Sequence, residues 1–352
     1  FEFEKKYLFF NSWSGIGFAK DLPKTGDAQP IDFLGLPLLL IRDNDNKIRV
    51  FQNTCRHRGM ILISQATTLR GTIRCPYHSW CYNLDGSLRS TPHVGGAGQN
   101  THHDIKRSEL GLFEIKSYVW NDIIFIKLSE KLGSFVHENK ILIEHWKEFE
   151  QPMFCNSDDS CFHLEIESNW KLAIENYCES YHLPWVHPDL NSYSRLEDHY
   201  HIEEKDRYSG QGSLVYKQIK GENNQVFDDF KNLSKKWDTG SEYISLFPNV
   251  LLGVHRDHIF VILVLPLSVT KTLERVAIYY PSENCVGPNF KNLRLKNKNL
   301  WRKTFEEDIG VVEGMQKGRN GILFDGGQFS PVMDSPTHLF HEWVANRLIQ
   351  PH

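Results

Sequence analysis

CRHRG at residues 55–59 and CPYHSW at residues 75–80 decide how this chain reads. Each stretch supplies one cysteine and one histidine: Cys55 with His57, then Cys75 with His78. Zinc sites use the same residue types, but they commonly group the cysteines together and the histidines together. One thiolate and one imidazole from each of two loops suits a two-iron cluster better, with both cysteines on one iron and both histidines on the other.

The rest of the composition limits what such a centre can serve. The 352 residues are 40% hydrophobic and 24% charged, with a formal net charge of -4. This is the profile of a soluble globular protein of one large or two ordinary domains, with no basic excess to attract nucleic acid. The longest apolar run, Ile259–Leu267, is too short to cross a bilayer and reads as a buried strand, so no membrane span is expected. The opening FEFEKKYLFF lacks the order of a secretory signal, and a Phe at position 1 leaves open a start further upstream. Seven cysteines, odd in number and scattered, point to a reducing, cytoplasmic setting rather than a disulfide framework.

Strand signals crowd the first third. Segments 37–43, 47–53, 71–75 and 121–128 are short, β-branched and separated by turn residues, and YNLDGSL (82–88) carries an Asp-Gly hairpin signal. The spacing predicts a small antiparallel β domain with the Cys/His pairs on two loops. Helical spacing in FVHENKILIEHWKEF (135–149) predicts a connecting helix, with a domain boundary near residue 130. The expected domains are therefore 1–130 and 131–352. In the second, CFHLEIESNW reads as a strand, SNWKLAIENYCESYH as a helix, 243–280 as several long strands and 296–317 as a long helix, an α+β arrangement.

A second metal centre is legible there. In NWKLAIENYCESYHLPWVHP, Glu179 and His182 are three apart, while His182 and His187 would point about 140° apart on a straight helix. Pro184 is expected to break the helix and let both imidazoles reach one ion. In LWRKTFEEDIGVVEGMQKG the stripe Trp301, Phe305, Val312 and Met315 is interrupted by Asp308, whereas Glu306 and Glu307 are expected to face solvent. A buried carboxylate without a cation costs several kcal/mol or is neutralised. Two histidines and one carboxylate, His182, His187 and Asp308, form the facial set of non-haem Fe(II) oxygenases, leaving positions open for dioxygen and substrate.

The combination C-x-H-R-G, C-P-Y-H-x-W and a D-G hairpin, followed by N-W-K, H-x4-H and a distant E-D, resembles the Rieske-type oxygenases, and the resemblance spans nearly the whole chain. It implies an α+β fold with an N-terminal antiparallel β Rieske domain and a helix-grip-like catalytic domain. It implies a [2Fe-2S] cluster on Cys55, His57, Cys75 and His78, shaped and covered by Arg58, Gly59, Pro76 and Trp80, and mononuclear Fe(II) with O2 as cosubstrate. It also implies a homotrimer, or a multiple of it, in which the cluster of one subunit feeds the iron of its neighbour through Glu179. Most ring-hydroxylating members carry Asp where this chain has Glu179. The ENY-x-E-x-YH setting is similar to the branch acting on carnitine, glycine betaine and related quaternary ammonium compounds.

No G-x-G-x-x-G follows a strand, so a separate NAD(P)H-dependent flavin/iron–sulfur reductase is expected to supply electrons. Monooxygenation of a betaine-type small molecule, with N-demethylation or C–N cleavage, is the first substrate reading. Trp185, Tyr193, Phe260 and Phe324 are candidate cage aromatics. Aromatic ring hydroxylation or aryl O-demethylation is the alternative, favoured by a pocket apolar throughout, and a pure electron carrier stands third. The pairs His102/His103, His199/His201, His255/His258 and His338/His341 read equally well as loop or sheet residues and receive no role.

Overall fold

A computed structural model describes residues 1–349. The chain divides into two compact units, residues 15–130 and a larger unit built from residues 1–14 and the chain from Lys131 onward. The first fourteen residues, read from sequence with the first domain, cluster with the larger unit. Their apolar positions find cover there: Leu8 and Phe9 are buried, Phe9 meets Trp170 edge-on with centroids 4.8 Å apart, and Glu4 pairs with Lys171.

The smaller unit carries ten strands, β1 (Ser14–Phe18), β2 (Asp27–Phe33), β3 (Leu36–Arg42), β4 (Ile48–Gln52), β5 (Thr67–Thr68), β6 (Thr72–Arg74), β7 (Cys81–Asn83), β8 (Leu88–Ser90), β9 (Glu114–Trp120) and β10 (Ile123–Lys127). They form a seven-stranded sheet in the order β1-β10-β9-β4-β3-β2-β5 and a three-stranded sheet β6-β7-β8. The Asp85-Gly86 turn joins β7 to β8, and Gly86 sits at φ +85°, where a side chain would meet the Phe51 ring. Leu39, Phe51, Ile73 and Tyr82 share one apolar cluster with Cys55, Cys75 and Trp80. The two Cys/His loops are therefore rooted in the core of this unit.

In the larger unit β11 (Cys161–Ile166), β12 (His199–Glu204), β13 (Tyr208–Ser213), β14 (Ser241–Leu246), β15 (Val250–Val254), β16 (Ile259–Ser268) and β17 (Lys271–Tyr279) make an antiparallel sheet in the order β11-β17-β16-β15-β14-β13-β12. Among its helices are α1 (Trp170–Tyr177), α2 (Leu183–Val186), α3 (Lys291–Gly318) and α4 (Ser335–Ile349). Val312, Ile309 and Met315 of α3 pack on Ile166 of β11 and Leu172 of α1, which lays the long helix on the sheet. This is the expected α+β architecture, with mixed helix and antiparallel sheet. Among the described residues no helix is long and apolar enough to cross a membrane.

Two helical expectations are corrected. The connecting segment is not one helix: Phe135–Glu138 and Lys140–His145 are separated at Asn139, whose side chain donates to the Phe135 carbonyl at 3.0 Å and competes with the helical ladder. The helix opening at Asn169 ends at Tyr177, before Glu179 and His182. Pro184 does not break a helix; it lies in the first turn of α2, where a missing N–H costs nothing.

Candidate metal centres

The two Cys/His loops have the same backbone build. Cys55 N–H donates to Met60 O at 2.8 Å and Gly59 N–H to Cys55 O at 3.0 Å; Cys75 N–H donates to Trp80 O at 2.8 Å and Ser79 N–H to Cys75 O at 3.1 Å. The fifth residue of each loop is left-handed, Gly59 at φ +74° and Ser79 at φ +59°. Glycine takes this conformation without a penalty, whereas serine is held there by the loop. Equivalent geometry in both loops turns each cysteine inward and each histidine toward one common region. Cys55 and Cys75 are buried, while His57 is exposed and His78 partly so.

The imidazoles of His57 and His78 lie 4.6 Å apart between centroids, and Trp80 stacks on His57 at 4.8 Å with an interplanar angle of 8°. The Tyr82 hydroxyl lies 3.3 Å from Cys55 Sγ and accepts from Arg56 N–H at 3.0 Å. Burial, helped by His78 and Arg58, holds His57 below its ordinary value, so its ring is neutral and able to ligate. His78 Nδ1 is buried with no hydrogen-bond partner, as a nitrogen reserved for a metal would be. Two ions can share such a set, with a sulfur-bound inner metal and an imidazole-bound metal toward solvent.

In the larger unit three side chains converge from two elements. His182 and His187 flank α2, and Asp308 comes from α3. His182 Nε2 lies 3.6 Å and His187 Nε2 3.0 Å from Asp308 Oδ1, and the three ligand atoms all lie within 4.8 Å of one another. Ligands in adjacent positions, each about 2.1 Å from an ion, stand ~3 Å apart, and opposed ligands ~4.2 Å apart. Both distances from Asp308 therefore fit adjacent positions.

Each histidine also has a carboxylate behind it. His182 Nδ1 is 2.6 Å from Glu179 Oε1, and His187 Nδ1 is 2.8 Å from Glu307 Oε2. A carboxylate only accepts, so both Nδ1 atoms carry a proton, and the two Nε2 atoms, which face Asp308 Oδ1, are the ones left to ligate. Two imidazole nitrogens beside a carboxylate oxygen that is itself buried without a hydrogen-bond partner make a donor set able to hold a cation. Burial pulls His187 down, but Asp308 and Glu307 outweigh it and its value rises. The expectation that Glu307 faces solvent is corrected. It sits one residue from Asp308, off the apolar stripe, and its longer side chain reaches back to His187.

Glu179 follows the end of α1. Its carboxylate accepts from the Tyr181 and His182 N–H groups, at 3.2 Å for the latter, and its own carbonyl accepts from Gln211 Nε2 at 3.0 Å. It thereby fixes the backbone that presents His182.

A pocket opens at the three converging groups. Its walls include Tyr243, Phe260, Trp301 and Phe305, with Asn176, Gln211, Ser194 and Thr304 as polar members. Of the four aromatics expected from sequence, Phe260 lines this pocket. Phe324 lines a second cleft that runs past Glu175, Glu179, Arg319 and His341. Trp185 is 71% exposed and Tyr193 half-buried, and neither is among the pocket's lining residues. Tyr243 and Trp301 were missed as pocket residues. Trp301 showed as a helical apolar position, indistinguishable by periodicity from plain core, and Tyr243 carried no signal.

Comparison with known proteins follows the same division. Residues 12–112 match the Rieske [2Fe-2S] domain, and residues 157–350 match the ring hydroxylating alpha subunit (catalytic domain). The glycine betaine monooxygenase oxygenase subunit of Chromohalobacter salexigens is 24% identical, with 99% of this chain and 83% of that protein aligned. Among solved structures, the quaternary ammonium Rieske monooxygenase CntA superposes with a TM-score of 0.75 at 22% identity, covering 99% of this chain and 91% of that one. Naphthalene 1,2-dioxygenase from Rhodococcus sp. does so with a TM-score of 0.76 at 16% identity, covering 99% and 91%. The catalytic-domain match takes in more than half of the chain and follows a Rieske domain in the same polypeptide, so the protein belongs to the Rieske non-haem iron oxygenases, as an oxygenase alpha component.

Proposed function

We propose that this chain hydroxylates a quaternary ammonium compound of the betaine type at an N-methyl or adjacent carbon, taking electrons one at a time from a separate reductase. Cys55, His57, Cys75 and His78 would hold a two-iron, two-sulfide cluster, and His182, His187 and Asp308 a mononuclear iron. When bound, the cluster relays single electrons and the mononuclear iron activates dioxygen. The chain's own residues set the conditions for both. Glu179 and Glu307 hold the Nδ1 protons of His182 and His187 and so keep both Nε2 lone pairs available. Glu179 and His182 both line the open cleft, and Glu179 would link His182 to a neighbouring subunit's cluster in a trimer or a multiple of one.

The observation that carries the substrate reading is the aromatic wall beside the triad. Phe260 and Trp301 lie 4.5 Å apart between centroids, Trp301 and Phe305 5.7 Å, and Tyr243 and Trp301 6.3 Å. Each ring face offers a cation roughly 0.5–2 kcal/mol in a desolvated site. Hydroxylation of one methyl group on the quaternary nitrogen, with O2, two electrons and two protons, gives the N-hydroxymethyl ammonium ion and water. This carbinol then collapses to the tertiary amine, formaldehyde and a proton.

An aromatic substrate would draw on the same wall, and the naphthalene dioxygenase fold match accords with it. The pocket is not apolar throughout, however: Asn176, Gln211, Ser194 and Thr304 interrupt it, which favours a polar small molecule. The electron-carrier reading leaves the His182, His187 and Asp308 convergence unused. Oxygen uptake in the presence of a compatible reductase distinguishes the readings. Glycine betaine or carnitine is expected to support uptake with stoichiometric aldehyde release. Uptake with naphthalene or aromatic acids and none with the betaines overturns the substrate assignment.

A further inference from the structure

The His255/His258 pair lies directly behind the pocket wall. The turn from His255 to His258 joins β15 to β16, closed by His255 N–H donating to His258 O at 3.0 Å. Its two imidazoles are fully buried and stacked, with centroids 4.2 Å apart and an interplanar angle of 7°. Each ring reaches one pocket aromatic through Nε2. Trp301 Nε1–H donates to His258 Nε2 at 2.8 Å, and the Tyr243 hydroxyl lies 3.1 Å from His255 Nε2.

The proton positions follow from the partners. An indole N–H only donates, so His258 Nε2 is a lone pair and Nδ1 carries the proton. That proton goes to Asp257 Oδ1 at 2.8 Å, and the same oxygen accepts from the Tyr216 hydroxyl at 2.7 Å. On the other ring, Ser241 Oγ donates to the Tyr243 oxygen at 3.2 Å, which leaves the Tyr243 hydroxyl proton for His255 Nε2. Burial keeps His255 well below its ordinary value, in agreement with a neutral ring. Both Nε2 atoms are thus occupied by aromatic donors, and the pair is not arranged as a metal site.

Trp301, Phe305 and Asp308 fall at i, i+4 and i+7 of α3, on one helical face. Tying the Trp301 indole to His258 fixes that face two turns before Asp308.

We infer that Asp257, His258 and His255 are positioning residues that set the substrate specificity of the pocket by holding Trp301 and Tyr243 as a rigid aromatic wall. The inference rests on the pocket at His182, His187 and Asp308 being the substrate site. None of the three is placed to touch the reacting atoms: their Nε2 and carboxylate contacts end on Trp301, Tyr243, Tyr216 and each other.

The test compares the holoenzyme carrying His258→Phe, which removes the acceptor, with His258→Gln, which keeps one, each alone and with Trp301→Phe. The probe is glycine betaine, or naphthalene should the wild type turn that over instead. That switch would overturn the ammonium reading while leaving this inference testable. His258→Phe is expected to raise KM about tenfold with kcat changed less than about threefold and iron content unchanged. His258→Gln is expected to restore KM to within about threefold of wild type, and the effect of His258→Phe should shrink below about twofold once Trp301 is Phe. An unchanged KM, equal losses in both His258 variants, or an undiminished effect in the Trp301→Phe background overturns the inference.

Should His258→Phe fail to fold, or should neither probe turn over, Asp257→Asn supplies the decision. Ultraviolet resonance Raman difference spectra against Trp301→Phe isolate the Trp301 indole band. Asp257→Asn is expected to weaken the hydrogen bond that this band reports, and an unmoved band overturns the inference.

Discussion

At the scale of single residues, the nitrogen of each histidine that carries its proton decides which nitrogen can face an ion. Glu179 and Glu307 hold Nδ1 of His182 and His187, and both Nε2 atoms face Asp308. Replacing Glu307 by Ala frees the His187 ring and is expected to weaken mononuclear iron binding by about 10- to 100-fold, read by iron titration with the cluster spectrum unchanged. Glu179→Gln, which keeps an acceptor but loses the charge, is expected to retain both metals and slow cluster oxidation in a single turnover. Unchanged rates would remove Glu179 from the electron path. The sequence made His182, His187 and Asp308 legible because a carboxylate on an apolar helical stripe and two histidines around a proline are unusual placements. Glu307 was not legible, because helical periodicity reports the direction of Cα–Cβ and not the reach of a long side chain.

At the scale of elements, α3 and the sheet beneath it carry a further titrating group. Glu274 of β17 stands opposite Leu164 of β11, and paired residues share a face, so its carboxyl lies on the face that α3 covers. Burial, with Asp308 adding to it, pushes its pKa up from 4.5 to about 8. A carboxyl whose folded value is raised stabilises the fold most below pH 4.5 and loses that contribution as pH rises through about 8. Glu274→Gln in the iron-free protein is therefore expected to flatten the fall in stability across that window, with a gain on the order of 2–4 kcal/mol at its alkaline end. Thermal unfolding at pH 5 and pH 8.5 measures it, and parallel curves for variant and wild type would contradict the assignment.

Strands and the long helix were readable because alternation and 3.6-residue spacing are properties of local sequence. The breaks at Asn139 and after Tyr177 were not, since each depends on a side chain capturing a particular backbone group.

At the scale of the whole molecule, the two candidate metal centres lie on separate compact units, and the proposed relay runs between subunits. A mixed assembly tests that directly. Asp308→Ala protomers keep the cluster and lose the triad, and Cys75→Ser protomers keep the triad and lose the cluster. Each homomeric variant is expected to be inactive. Random co-assembly should recover about a quarter of wild-type turnover, because half of the subunits keep a triad and half of their neighbours keep a cluster. No recovery in verified mixed oligomers would mean that each chain serves only itself. The likeness to the quaternary ammonium and naphthalene oxygenases extends along both units, so architecture alone does not separate their substrates. The proposed distinction rests on the polar groups that interrupt the aromatic wall, Asn176, Gln211, Ser194 and Thr304.

The most direct test of the central claim is the reaction of fully reduced holoenzyme with dioxygen in the absence of reductase, followed by the electron paramagnetic resonance of the cluster. The signal of a histidine-ligated two-iron centre is expected to disappear as product forms in the wild type, and to persist in Asp308→Ala, where electrons have no acceptor. Cluster oxidation at the same rate in both, or a reduced protein with no such signal, would contradict it.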